Sequence, residues 1–168
     1  MAGLLLVGAC SSRIPPEIRN PLPDEETFAR VLADPQTYLS KRFRWGGVIV
    51  ETENGSAGSR MQVVAFPLDD LGRPITGRQS PGRFIAATVR FLEPMVYRPD
   101  RQVTVTGELV SAEMIKIGEF DYRHPVLEID QLHLWPIPVE TIEEPPLYYR
   151  PYYPYYPWPV IPHRHYHR

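Results

Sequence analysis

The chain carries a single cysteine, and its surroundings define the first candidate chemistry. Residues Leu4 to Cys10 read Leu-Leu-Leu-Val-Gly-Ala-Cys, and Ser11-Ser12 turn the composition polar at once. A thiolate is the good nucleophile among side chains, so Cys10 can take a diacylglyceryl group as a thioether. Val7, Gly8 and Ala9 supply the small-residue box at which a bacterial lipoprotein signal peptide is cut, which makes Cys10 the first residue of the mature chain. The apolar run and the cleavage site are two of the three parts of a secretory signal. The basic n-region is missing, since only Met1 and Ala2 precede Gly3, and a start further upstream is the simplest expectation. The competing explanation is an ordinary buried apolar N-terminus that contains a cysteine. The run is too short to cross a membrane, which takes roughly 20 apolar residues. A single acyl chain gives only marginal binding, at about 0.8 kcal/mol per buried methylene, so the two or three chains of a processed lipoprotein are needed for lasting attachment. Ser11 is not the aspartate of an inner-membrane retention signal. The expected address is therefore the outer membrane, with the globular part in the periplasm.

The second constellation is the end of the chain, where His163, His165 and His167 alternate with Arg164, Tyr166 and Arg168. Neutral imidazole is a good ligand for zinc, copper or nickel. Closed structural sites take four ligands, and an extended strip brings no obvious fourth. Disorder or weak contact with an anionic surface is the first expectation for this tail, and metal capture by the three histidines is the alternative.

Other polar groups carry weaker signals. Arg83, Glu93, Lys116 and Glu119 are conspicuous, and Lys116 with Glu119 could line a pocket or form a surface pair worth about 0–1 kcal/mol. His124 beside Pro125 fits a turn, and His133 between Leu132 and Leu134 fits the outward face of a strand. Trp45-Gly46-Gly47 offers a stacking platform or, more simply, a core tryptophan beside a strand bend. No HExxH, CxxC or phosphate-cradling GxxxxGK motif occurs. The expected function is accordingly not enzymatic, and no cofactor is implied.

These residues must be positioned by a body of modest size. The 20 prolines crowd at the two ends, and the formal net charge is −2. A nearly neutral chain gives no electrostatic reason to expect a polyanion, so nucleic acid is not an expected partner. Proline breaks helices and ladders alike. Residues 1–9 are thus expected to be signal peptide, 10–23 a lipidated extended linker, 24–136 the folded domain and 137–168 a disordered Pro/Tyr/His-rich tail.

Within the body, Asp24 is a candidate N-cap for a helix carrying Phe28, Val31 and Leu32 and ending near Ala33. Asp34-Pro35 restarts a second short turn. Strands are expected over Arg44–Thr52, Arg60–Phe66 and Arg83–Val89, with a turn that begins at Asn54-Gly55. A fourth runs through Val103, Val105, Gly107 and Leu109, with Thr104 and Thr106 on the opposite face. Gly107 marks a bulge or bend. Met114–Glu119 reads as a short crossing segment, and Val126–Trp135 as a last strand that must bulge at Asp130-Gln131. Short helices followed by five or six strands predict a mainly β fold. A small antiparallel barrel of the oligonucleotide/oligosaccharide-binding (OB) type comes first, because closure removes exposed edges. A β-sandwich is second and an open sheet third.

The same residues resemble a known family. Arg44-Trp45-Gly46-Gly47-Val48-Ile49, Asn54, Gln62–Leu68, Gly82–Ala86, Phe91–Pro94, Val103–Gly107 and Lys116–Glu119 occur in the order seen in the Slp family of outer-membrane lipoproteins. The resemblance covers about Asp24 to Trp135 and agrees with the cysteine box. It implies lipid anchoring to the outer membrane and brings no biochemical activity with it. The leading expectation is a non-catalytic binding or scaffold module whose partner is an envelope protein or peptidoglycan. A carrier of a small or lipidic ligand inside the barrel is the alternative, and an envelope hydrolase comes third.

Overall fold

A computed structural model describes residues 14–23 and 26–137. Five strands close into a barrel in the order β1-β2-β3-β5-β4, with β4 returning to β1. They are β1 (Arg42–Gly55), β2 (Gly58–Phe66), β3 (Gly82–Thr88), β4 (Gln102–Ile117) and β5 (Phe120–Leu134). This is the OB-type arrangement expected, with one qualification: β3 and β5 pair in parallel, over Ile85–Ala87 and Val126–Glu128. The other four pairings are antiparallel.

Alternation along each strand fills the interior. On β2, Met61, Val63 and Ala65 are buried while Arg60, Gln62 and Val64 look outward. Phe43, Trp45 and Phe84 meet Phe28 in an aromatic cluster, with Trp45 4.7 Å from Phe28 and 5.1 Å from Phe43. Trp45 is therefore a core residue rather than an exposed stacking platform.

The two long strands stay in register by giving up one residue each. Thr106 pairs with Gln131 and Gly107 with Ile129, which leaves Asp130 as the extra residue of a bulge. The glycine at 107 and the break at Asp130 are thus two sides of one feature. A Cβ on Gly107 would lie 2.1 Å from the Glu128 carbonyl oxygen, so the requirement there is close backbone approach, not positive φ. Asp130 turns outward to Arg42 at 2.7 Å.

Several expectations change. Met114–Ile117 is no crossing segment; it continues β4, turns at Gly118-Glu119 and returns as β5. The apolar–polar period was interrupted by the β4 bulge at Val110, where pairing shifts between Leu109 and Ser111. The turn that begins after Asn54-Gly55 has Ser56-Ala57 at its tip, and Gly55 pairs with Gly58, whose φ of +123° accommodates the strand restart. His124 is not in a turn but fully buried within β5.

The N-terminal segment also differs. The part expected to be an extended linker contains a one-turn helix, α1 (Pro16–Arg19), started by the preset φ of Pro16. A second helix, α2 (Phe28–Ala33), is followed by a 3-10 turn over Pro35–Tyr38. Thr27 stands at the N-cap of α2, and the proposed cap Asp24 lies outside the described residues. Helices this short are marginal alone, and here arginines from the strands hold their open carbonyls. Arg44 Nη1 donates to the Ile18 and Arg19 carbonyls at 3.0 and 2.8 Å. Arg123 Nη1 donates to those of Leu32 and Ala33 at 3.3 and 2.9 Å.

Candidate functional site

The residues of chemical interest converge on the outer face of β2 and β3, between two hairpins. The β1–β2 hairpin forms one wall. The ribbon of β4 and β5 from Glu113 to His124 forms the other. On that ribbon Glu113 sits opposite His124, Ile115 opposite Tyr122 and Ile117 opposite Phe120, so these six share a face. The face is turned toward β2: Glu113 Oε2 accepts from Arg60 Nη2 at 2.6 Å, and His124 Nε2 lies 3.0 Å from Gln62 Nε2. Beyond these contacts Phe120 is 74% exposed at the ribbon's end.

The groove has two hollows sharing Glu53 and Arg60. One, of about 820 Å³, runs from the first hairpin past Thr88 to Ser111 and Glu128. The other, of about 400 Å³, is enclosed by Glu51, Gln62, Ile85, Glu113 and Ile115. Four carboxylates, those of Glu51, Glu53, Glu113 and Glu128, line the two hollows with the guanidinium of Arg60, and a second guanidinium, that of Arg83, reaches the floor at Gln62. The ion pair of Arg60 with Glu113 is two-fifths exposed on both sides, which limits it to about 0–1 kcal/mol. Its geometric effect is to set the width of the groove.

The floor is tied down by hydrogen bonds. His124 Nδ1 lies 2.9 Å from the Tyr122 carbonyl, which can only accept, so this nitrogen carries the proton. Nε2 is then free to accept from the Gln62 amide, while Gln62 Oε1 faces Arg83 Nη1 at 3.5 Å. Both ring nitrogens of the buried histidine are thus committed to structural bonds. At the hairpin wall, Asn54 and the buried Ser59 hydrogen-bond to each other and grip Leu92: Asn54 Nδ2 donates to its carbonyl at 3.0 Å, and Ser59 Oγ accepts its N–H at 2.8 Å.

Of the residues singled out by sequence, Arg83 and His124 belong to this groove among the described residues, His124 as part of its floor rather than of a turn. Lys116 stands opposite Asp121 on the other side of the ribbon, and Glu119 is in its turn, so the two do not line a common pocket. The Glu93 carboxylate faces the N–H of Met95 at 3.4 Å, within its own connection. His133 is half-buried, its ring 4.5 Å from Trp135, and desolvation lowers its pKa below the ordinary 6.5. Cys10, His163, His165 and His167 lie outside the described residues. Arg60, Gln62 and Glu113 were missed. The alternation of β2 already turned Arg60 and Gln62 outward, whereas Glu113 was hidden by misreading the end of β4.

The comparisons with known proteins agree with the sequence motifs. The model of the outer membrane lipoprotein Slp family matches residues 7–162, past the barrel on both sides. An uncharacterized lipoprotein of Escherichia coli, YeaY, is 30% identical over 84% of this chain and 72% of its own length. The outer membrane protein Slp of the same organism is 29% identical over 77% of this chain and 69% of its own. A small single-stranded DNA-binding protein from Streptomyces coelicolor is similar in structure at a TM-score of 0.38 and 10% identity, over 56% of this chain and 94% of that one. Among the described residues no helix is long and apolar enough to cross a membrane. The matched family is one of outer-membrane lipoproteins, and with a match over nearly its whole length, this chain belongs to the Slp family.

Proposed function

We propose that this protein is a non-catalytic binding module held to the outer membrane through Cys10, and that the groove between its two hairpins receives a basic segment of another envelope protein. The observation that carries this reading is the charge of the groove, four carboxylates against the guanidiniums of Arg60 and Arg83, on walls fixed by hydrogen bonds. Such a surface repels phosphate backbones and favours lysine and arginine side chains. A base for catalysis would need a free nitrogen or oxygen within reach of a nucleophile, whereas His124 spends both ring nitrogens on Gln62 and Tyr122. The carrier alternative is less well supported, because Phe43, Met61, Phe84, Val103, Leu109 and Leu127 fill the barrel interior.

A photocrosslinking residue at Thr88 or Ser111, in intact cells, tests this. We expect one discrete protein adduct that disappears when Glu51→Lys and Glu53→Lys are combined. Adducts containing only peptidoglycan fragments, or a protein adduct indifferent to the charge reversal, would refute the basic-segment reading. The anchor is tested separately: Cys10→Ser should abolish metabolic labelling with a fatty acid.

A further inference from the structure

The N-terminal segment is short and it is docked. Ile18 is completely buried, Arg44 holds the carbonyls of Ile18 and Arg19, and Pro15 and Ile14 are half-buried. Gly72 lies against the same turn, since a Cβ there would stand 2.1 Å from the Ile18 carbonyl oxygen. The loop is held rigidly: Asp69 Oδ1 accepts the N–H groups of Leu71 and Arg73 at 2.9 and 2.8 Å. Thr104 Oγ1 donates to the Gly72 carbonyl at 2.6 Å and accepts from Trp135 Nε1 at 3.0 Å. Helix α1, the loop around Leu71 and the end of β5 therefore form one continuous surface. Leu71, 50% exposed, belongs to it.

Cys10 precedes Ile14 by four residues. Four residues span at most about 14 Å when fully extended. A lipid on Cys10 thus leaves the docked turn no room to swing away from the bilayer. Along β1, Arg44 near one end meets α1, and Gly55 at the other leads into the hairpin that walls the groove. At about 3.3 Å per residue, that separation is on the order of 30 Å.

We propose that the surface formed by α1 and the loop around Leu71 is the membrane-facing side of the domain, packed on the phospholipid of the bilayer that holds the anchor. The groove between the hairpins then opens away from that bilayer, toward partners in the periplasm. This rests on the assignment of the lipid to Cys10.

The test uses full-length lipidated protein in vesicles of phosphatidylethanolamine and phosphatidylglycerol. A fluorophore is placed through Leu71→Cys or, at the hairpin tip, through Ser56→Cys, with Cys10 blocked by its own lipid. Lipids carrying a nitroxide at the headgroup or upper acyl chain serve as quenchers. We expect marked loss of fluorescence at position 71 and none above background at position 56. Equal quenching at both positions, or stronger quenching at 56, would overturn the orientation. Freeing α1 by combining Ile18→Ser with Arg44→Ala should erase the difference while the barrel still melts cooperatively; a difference that persists would overturn the tether as its cause. Mass spectrometry of Cys10 in the same samples separates the two failures. An unacylated Cys10 removes the anchor and the proposal together, whereas an acylated Cys10 with equal quenching overturns the orientation alone.

Discussion

The outer face of β1 and β4 around Thr104 and the outer face of β2 and β3 around Gln62 arise from the same alternation, yet they end in opposite states. Around Thr104 the outward residues are fully buried: Thr104 and Thr106 are sealed as completely as Val103 and Val105 on the inside. Helix α1, the loop at Gly72 and Trp135 cover them, and the Thr104 hydroxyl gains two partners in exchange for water. Around Gln62 none of the described N-terminal or loop segments lies on the sheet. The ribbon of β4 and β5 stands over it instead, touching through Arg60 with Glu113 and Gln62 with His124. Small polar residues allow close coverage: the Thr104 hydroxyl is paired, and the Thr106 hydroxyl is sealed without a hydrogen-bond partner, a cost the covering contacts must offset. Long charged residues hold a second layer at a distance and leave a groove.

Substitution should separate the two sides. The largest effect is expected at the bulge, where Gly107→Val places atoms against the Glu128 carbonyl; a loss of about 3 kcal/mol is expected by denaturant unfolding. A change below about 0.5 kcal/mol would mean that β5 can move aside at Asp130 and that the bulge is not a fixed part of the barrel.

Next comes Ile18→Ala on the sealed face. Truncating a buried isoleucine costs about 2–5 kcal/mol in a core, and the low end applies because a one-turn segment can detach. The loss should appear mainly as hydrogen exchange at Thr104, Thr106 and the 69–73 loop, with the Gln62 side unaffected. Uniform exchange across the barrel would show that the two faces are one cooperative unit.

On the open face, a double-mutant cycle of Arg60→Ala and Glu113→Ala should give a coupling below about 1 kcal/mol. Both side chains are two-fifths exposed, so the pair shapes the groove without holding the barrel together. A coupling of several kcal/mol would place this face among the stabilising parts of the fold.

The contrast explains what the sequence revealed. Period-two alternation exposed the barrel strands and the core positions, and Gly107 with Asp130-Gln131 revealed the bulge from both sides. Alternation cannot tell a face that meets water from one covered by another segment. Thr104 and Thr106 therefore looked like surface positions, and the proline-bearing segment that covers them looked like a spacer. Its docking depends on a single isoleucine and a distant arginine, Ile18 and Arg44, which no local pattern connects. The groove was hidden for a related reason: its second wall lies beyond the Val110 bulge, where the period breaks.

The smallest effect concerns pH and also belongs to the sealed face. His133 lies opposite Thr104 in the β4–β5 ladder and packs its ring against Trp135. Desolvation holds its pKa below 6.5, so the folded protein resists protonation there more than the unfolded chain does. As pH falls through 6.5 the unfolded state takes up a proton first, and by linkage the folded state loses stability. The loss begins near 6.5 and levels off once pH drops below the lowered folded value; above 6.5 the contribution is fully present. Unfolding free energies measured from neutral to mildly acidic pH should therefore decline, and His133→Gln should flatten part of that decline while leaving neutral-pH stability nearly unchanged. An identical slope in the variant would remove His133 as the cause. Because the ring rests on the covered side, freeing α1 through Ile18→Ala should also reduce the slope if detachment lets water reach Trp135, whereas breaking Arg60 from Glu113 on the open side should not.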